Sequence, residues 1–443
     1  MGAQAIAQFV TLVIRLAEIP LLVTIWGSDL YGQWLVLAAI PSYLAFSDLG
    51  FISSINRFLV VPVTQGDFTL ATKVFQTSSL LALLLSVGFS LVFVAIFLFT
   101  PVAETFHVTA VGTAAVVEVA LFLCGKIVVS MQGQALFGVY MAIHRYPLGL
   151  ILLSLCQLLE FGAMAVAVFI GEGFVGAALA MLLGQSVGVL VMLVGISRYA
   201  SWLTLGFRAA DFTLLKRFWS PALASLTFPA GDAIGFQGTR LIVAYLLGPT
   251  ALVLFVAHRQ IARLSTQVAT GARIFEAEIA YAFAADNHDF LGRINRRLFQ
   301  TMLWASLAVT ATLMVGAPVI FPTWTGHKIQ FDLAIFLVLL AASLLECLWR
   351  VVIHPLLMTN QHSNVSAWIF AIRCASVAVA YVAGLAWGML GIVGVIAAFE
   401  AVIFIVAIRA HLDIFGDNLR QILSIVGKPP LELILRALRE IRT

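Results

Sequence analysis

Twelve stretches of this chain are apolar over about 20 residues or more, the length needed to cross a bilayer. They cover residues 3–26, 33–61, 77–100, 112–139, 147–170, 173–197, 217–247, 250–274, 297–321, 333–358, 364–388 and 391–411. In hydrocarbon every backbone N–H and C=O must be satisfied within the segment or within a closed barrel, so runs like these can only become helices. The ten-residue alternating segments of an outer-membrane barrel are a different pattern. Composition agrees: 62% of the residues are hydrophobic and 10% charged, against about 25% charged in soluble domains. The fold expected is an all-α integral membrane protein with about twelve transmembrane helices. The first run, Ala3 to Trp26, lacks a basic leader and a small-residue cleavage site, so it reads as a retained span and not as a signal peptide.

The chain also repeats a short phrase. Lys73-Val-Phe-Gln-Thr77 and Arg297-Leu-Phe-Gln-Thr301 each open a long apolar run, and each follows a polar stretch containing Asp (TQGDF near Gly66, ADNHDF near Asn287). A long apolar chain that repeats itself once reads as a duplicated bundle. The basic connection between Arg198 and Arg217 divides it into an N-terminal six-helix lobe (1–200), a linker (201–216), a C-terminal six-helix lobe (217–412) and a tail (413–443).

Loops after even-numbered runs hold Lys73, Arg145, Arg198, Arg208, Lys216, Arg217, Arg293, Arg296 and Arg297, whereas the opposite loops hold only Lys328. Positive charge stays inside, so both termini are expected in the cytoplasm. With an even number of spans per lobe, the pseudo-twofold axis should follow the membrane normal. In the tail, Pro429-Pro430 precedes a segment whose Leu431, Ile434, Leu435, Leu438 and Ile441 share one helical face, with Arg436, Arg439 and Arg442 away from it. That is the pattern of a cationic amphipathic helix lying on the inner leaflet. The net charge of +4 has its ordinary cause in basic cytoplasmic loops, and no nucleic-acid partner is expected.

Ionisable residues at membrane depth cost roughly 2.5–3.5 kcal/mol each on insertion scales and call for a reason. The basic ones are Arg15, Lys126, Arg240, Arg259, Arg263, Arg350 and Arg373, and the acidic ones Glu18, Asp48, Glu118, Glu160, Asp232, Glu346 and Glu400. Arg15 with Glu18, and Glu346 with Arg350, have the spacing of pairs on one helix face, and structural pairing competes with function there. Arg259 and Arg263 stand one turn apart with no acid nearby on their run. Like charges so placed repel, so the arrangement requires an anion or a facing carboxylate. Asp232 can neutralise one of these cations but not all of them. Pro20 in the first run and Pro229-Ala-Gly231 in the seventh read as matching helix breaks, which point to a substrate site at the repeat interface.

Neither a P-loop nor a soluble catalytic domain is present in the sequence, so direct use of ATP in cis is not expected. The eight histidines, His107, His144, His258, His288, His327, His354, His362 and His411, lack metal-ligand spacing. Cys124, Cys156, Cys347 and Cys374 all sit in apolar runs as packing residues. Neither metal nor cofactor is expected. The sequon at Asn364-Val-Ser366 falls on the expected cytoplasmic side.

The second run and the loop after it, LYGQWLVLAAIPSYLAFSDLGFISSINRF and TQGDFTLATKVFQTSS, carry a family pattern. Tyr31-Gly32, Ser47-Asp48-Leu49-Gly50, Asn56-Arg57 and the Gly66-Asp67 loop resemble the Wzx-type polysaccharide flippases of the multidrug/oligosaccharidyl-lipid/polysaccharide (MOP) superfamily. The resemblance extends over almost the full chain by span count and repeat, and in the second half by pattern more than by residue. It implies a bacterial inner-membrane protein of two six-helix lobes around a central cavity, lined chiefly by the first two helices of each lobe. Those helices hold Arg15, Glu18, Asp48, Asp232, Arg240, Arg259 and Arg263. The activity implied is translocation of a polyprenyl-diphosphate-linked oligosaccharide for surface or exopolysaccharide (O-antigen type) synthesis, alongside a polysaccharide polymerase and chain-length machinery. On that reading Arg15, Arg240, Arg259 and Arg263, helped by Lys126, hold the diphosphate, because guanidinium groups bind phosphate bidentately. Glu18, Asp48 or Asp232 would couple transport to H+ or Na+, unless the membrane potential alone drives it.

Three rivals stand beside this expectation. A MATE-like cation or drug antiporter and a lipid II flippase keep the fold and change the cargo. A membrane-embedded glycan polymerase or ligase would be an enzyme, but the external loops span only about 4–12 residues, ordinary connector length with little room for an external active site.

Overall fold

In the computed structural model the chain is described at residues 2–285, 288–359, 363–415 and 428–429, without side chains for 40–57 and a few shorter stretches. Every regular element among the described residues is helical. In chain order these are α1 (Gly2–Thr64), α2 (Phe68–Phe99), α3 (Val102–Thr105), α4 (Thr113–Ala142), α5 (Tyr146–Phe169), α6 (Phe174–Ser197) and α7 (Phe212–Leu247). They continue with α8 (Pro249–Ala262), a 3-10 tract (Arg263–Phe275), α9 (Glu276–Ala284), α10 (His288–Trp324), α11 (Leu333–Met358) and α12 (Ser363–Phe415). Eight helices among the described residues are long and apolar enough to cross a membrane.

Two of these helices are hairpins in disguise. α1 turns at Gly27, where φ is 79° and ψ 171°, and α12 turns at Gly388, where φ is 58°. Positive φ is open to glycine because it has no Cβ, so each long element becomes two limbs, 2–26 with 28–64 and 363–387 with 389–415. Counting the limbs, α2, α4, α5, α6, α7, the α8-to-α9 tract, α10 and α11 correspond in order to the twelve expected spans. The expectation of helix breaks at Pro20, Pro229 and Gly231 fails. Helical backbone runs through all three positions, and the turn near Pro20 comes seven residues later. Membrane helices tolerate such residues because neighbouring helices satisfy the freed carbonyls.

Aspartates start three helices: Asp67 accepts from Leu70 N–H at 2.9 Å, Asp211 from Thr213 N–H at 2.8 Å and Asp332 from Ile335 N–H at 3.0 Å. Each satisfies an orphan donor of the first turn. Three of the scattered histidines, His107, His144 and His327, close turns with φ between 57° and 59°.

The chain forms two compact units, Met1–Val253 and Leu254–Thr443. In unit 1, α1 packs on α2, α4, α5 and α7, and α6 packs on α4 and α5. Gly184 and Gly188, four apart on α6, bring it against α5. A Cβ on Gly188 would stand 2.7 Å from Cys156 Cα, and one on Gly184 would collide with the Leu159 carbonyl. Small residues at this spacing allow close helix approach in lipid, where packing replaces the hydrophobic effect. In unit 2, α11 packs on α10, the 3-10 tract and α12, and Trp349 is fully buried.

Candidate functional site

The unusual residues fall into two charge sets, one per unit. In unit 1 the set spans four helices, of which α4, α5 and α7 all pack on α1: Arg15 and Glu18 on α1, Lys126 on α4, Glu160 on α5 and Arg240 on α7. Lys126 Nζ meets Glu160 Oε1 at 2.9 Å, with both side chains about one-fifth exposed (21% and 19%). Glu18 lies in the field of Arg240 first, then Glu160, Lys126 and Arg15. Arg240 donates to Gln237 Oε1 at 3.3 Å and lies 4.5 Å from the Phe236 ring centroid. Tyr31 of the Tyr-Gly pair is buried and shares the field of Glu18 and Arg240. Asp232 is half-buried on α7, and Arg15 is exposed on α1. Asp48 is helical, but its side chain lies outside the described residues.

Unit 2 is more tightly wired. Glu346 on α11 is the facing carboxylate that the Arg259–Arg263 spacing requires. Its Oε1 accepts from Arg263 Nη2 at 2.9 Å, and from Arg350 Nη2 at 2.9 Å and Nε at 3.0 Å. The Glu346–Arg350 pair therefore exists, but it is shared with Arg263. Arg259 is 7% exposed, lies 5.4 Å from the Phe255 ring and also feels Glu346. Beside this group, Glu400 of α12 accepts from Arg373 Nη1 at 2.6 Å and from Trp349 Nε1 at 2.7 Å. Arg373 and Glu400 stand on opposite limbs of α12, so their bond ties the hairpin across Gly388.

The eighth span is not one uniform helix. α-Helical winding stops at Ala262, and Arg263 opens the 3-10 tract. Ser265 donates to Ala262 O, Thr266 to Arg263 O and Thr270 to Gln267 O. These hydroxyl bonds reach three residues back, the spacing of the tighter winding, and compete with the α-helical ladder.

His258 is fully buried next to Arg259. Its Nδ1 is 2.8 Å from Leu254 O, a pure acceptor, so Nδ1 carries the proton. Nε2 accepts Asp332 N–H at 2.9 Å, which fixes the neutral tautomer. Phe331 stacks on the ring with a 5.3 Å centroid separation. Sequence reasoning missed Glu160 as the partner of Lys126, Trp349 as a donor to Glu400, and the bond from His258 to the start of α11. Each joins residues on different elements, where spacing along one helix says nothing.

No protein-family model and no curated protein matches the chain. Solved structures do. The inward-facing conformation of a multidrug resistance MATE family transporter of the MOP superfamily aligns with TM-score 0.72 at 16% identity, covering 91% of this chain and 98% of the other. An outward-facing conformation of such a transporter gives 0.63 at 16% identity, covering 93% of each chain. A MOP superfamily transporter from Pyrococcus furiosus, for which reverse polarity of the binding pocket suggests a different function, gives 0.55 at 17% identity, covering 97% of this chain and 94% of the other. At these identities the likeness establishes the fold: this chain has the all-helical, multi-pass membrane fold of the MOP superfamily transporters.

Proposed function

We propose that the protein is a membrane transporter, not an enzyme, and that it moves a polyprenyl-diphosphate-linked oligosaccharide across the plasma membrane by alternating access. The observation that carries the cargo class is the division of membrane charge. The seven acids and seven bases named above at membrane depth balance over the chain but not within the units: unit 1 holds five of those acids (Glu18, Asp48, Glu118, Glu160, Asp232) and three of those bases, whereas unit 2 holds two of the acids (Glu346, Glu400) and four of the arginines. A cation-rich set of guanidinium groups suits a diphosphate, which accepts bidentate bonds from them. Arg259 and Arg263 in unit 2, and Arg15, Lys126 and Arg240 in unit 1, are the residues assigned to diphosphate binding. The acids of unit 1, Glu18, Asp48 and Asp232, are assigned to a coupling H+ or Na+. With a negative interior, outward passage of the anionic head is favoured by about 2.3 kcal/mol per charge per 100 mV.

The test is Arg259→Ala with Arg263→Ala in cells that depend on this protein for surface glycan. Glycan export should be lost while the protein stays inserted at parental level, and the purified variant should lose binding of undecaprenyl diphosphate. Arg259→Ala alone leaves the Glu346 bonds to Arg263 and Arg350 in place, and its insertion at parental level is the control that ascribes a loss of binding to the missing guanidinium. Unchanged binding in both variants would remove the anion-site reading. The likeness to multidrug MATE transporters favours a second reading, a cation or drug antiporter drawing on the acid-rich unit 1. Dye efflux that survives the double variant and disappears in Glu18→Gln would favour it.

A further inference from the structure

The duplicated phrase makes the same kind of bond in both units, and the function proposed above does not use it. In unit 1, Gln76 is buried near the start of α2. Its Nε2 donates to Thr204 O at 2.9 Å and to Thr204 Oγ1 at 3.2 Å, and its Oε1 accepts Ala209 N–H at 2.7 Å. Thr77 Oγ1 accepts Asp211 N–H at 3.0 Å. The phrase thus grips, at three points, the stretch that leaves α6 and delivers α7. In unit 2 the residue at the same register is Gln300 on α10. Its Nε2 donates to Lys428 O at 2.7 Å, and Lys428 belongs to the stretch that leaves α12. One such bond would be an incidental surface contact. The second copy, in the other unit and on the segment that follows the other sixth span, is an independent observation of the same device.

We propose that the start of α10 is a docking surface for the chain's own C-terminal tail, and that Gln300 is the residue that holds it. The two residues after Lys428 are Pro429 and Pro430, and the cationic amphipathic segment follows. Prolines fix φ and stiffen the chain, so a bond at Lys428 O sets where that segment begins. The arginines of that segment are of the kind that attracts anionic lipid. The grip is lighter than that of Gln76: one bond at a half-exposed side chain, against three at a buried one. A single neutral hydrogen bond shifts a docked–undocked equilibrium by roughly fivefold.

The test uses the full chain in lipid nanodiscs, with the four native cysteines replaced by Ala and a nitroxide label at Lys428→Cys. Only the backbone carbonyl of that residue is used by the dock. The label should be restrained in the parent and several-fold more mobile in Gln300→Ala. Gln300→Glu keeps the size and loses the donor; it should release the label as well, and it serves where the alanine variant fails to fold. Gln76→Glu should leave the label restrained. A label equally mobile, or equally restrained, in parent and Gln300→Glu overturns the proposal, as does release by Gln76→Glu alone. No outcome depends on which cargo the protein carries.

Discussion

The two units solve the problem of charge in hydrocarbon differently. Unit 1 spreads its set over four helices, and its one ion pair described at atomic distance, Lys126–Glu160, is about one-fifth exposed at both ends. Unit 2 draws six charges onto two hubs. Glu346 and Glu400 are 5% and 1% exposed, and each accepts from two different side chains. Removing one partner of a buried pair strands the other charge, whereas a partly exposed pair contributes little. The difference separates a pair of one acid and one base from buried acids that each accept from two side chains, in a unit where the arginines named above outnumber the acids. A site that must release a cargo or an ion is better served by the first. A rigid cationic surface is better served by the second.

The largest effect is expected at the unit 2 hub. Glu346→Gln leaves Arg263 and Arg350 facing each other without a carboxylate and should destabilise the protein by about 3 kcal/mol. That is the low end for breaking a buried pair, chosen because the two arginines keep 27% and 25% exposure. Glu160→Gln, at the looser pair, should cost under about 1 kcal/mol. Thermal unfolding of the two variants in the same detergent measures both. Equal shifts would erase the distinction between the units. The next effect is expected at Trp349→Phe, which keeps the ring and removes the indole donor to Glu400 Oε2. A buried acceptor left short of a partner costs about 1–3 kcal/mol, and the loss should vanish in the double variant Trp349→Phe with Glu400→Gln if the bond is its cause. A loss that persists there would assign Trp349 to packing alone.

Much of the fold was legible in the sequence because lipid forces it. An apolar run of sufficient length has no alternative to a helix, so the spans expected at 364–388 and 391–411 meet the structure at the Gly388 turn within a few residues. The charge sets were legible as residues but not as pairs. Arg263 and Glu346 are 83 positions apart, Lys126 and Glu160 34, and nothing in a single helix's periodicity relates them. Arg259 and Arg263 announced a missing carboxylate by their mutual repulsion, but not where it would come from. The prolines misled because Pro20 and Pro229 read as matching breaks at a substrate site, whereas helical backbone continues through both, as membrane helices with packed neighbours allow. The change of winding at Arg263 had a signal in Ser265, Thr266 and Thr270, but hydroxyls on an apolar helix more often reach back without altering its pitch.

The smallest expected effect lies outside both charge sets and calibrates them. Asp211 starts α7 from the connection gripped by Gln76. The hydroxyl and N–H of Thr213 donate to its Oδ1 and hold its carboxyl below the usual 3.8, with Lys73 adding to the same direction. A depressed folded value means that the charged form is favoured in the native state. Its stabilising contribution is therefore complete above the usual carboxylate value and is lost as pH falls through the lowered one. Asp211→Ala should lower the unfolding midpoint slightly at neutral pH, and the gap to the parent should close as pH falls below the usual carboxylate value. The side chain is only half-buried, so solvent screens the interaction and salt should shrink the gap further. Unit 2's hub should respond differently: the gap between Glu346→Gln and the parent should be less sensitive to salt, because the Glu346 carboxylate is 5% exposed although its two arginines reach 27% and 25%. If added salt narrows both gaps in the same proportion, burial of that carboxylate does not shield its pairs.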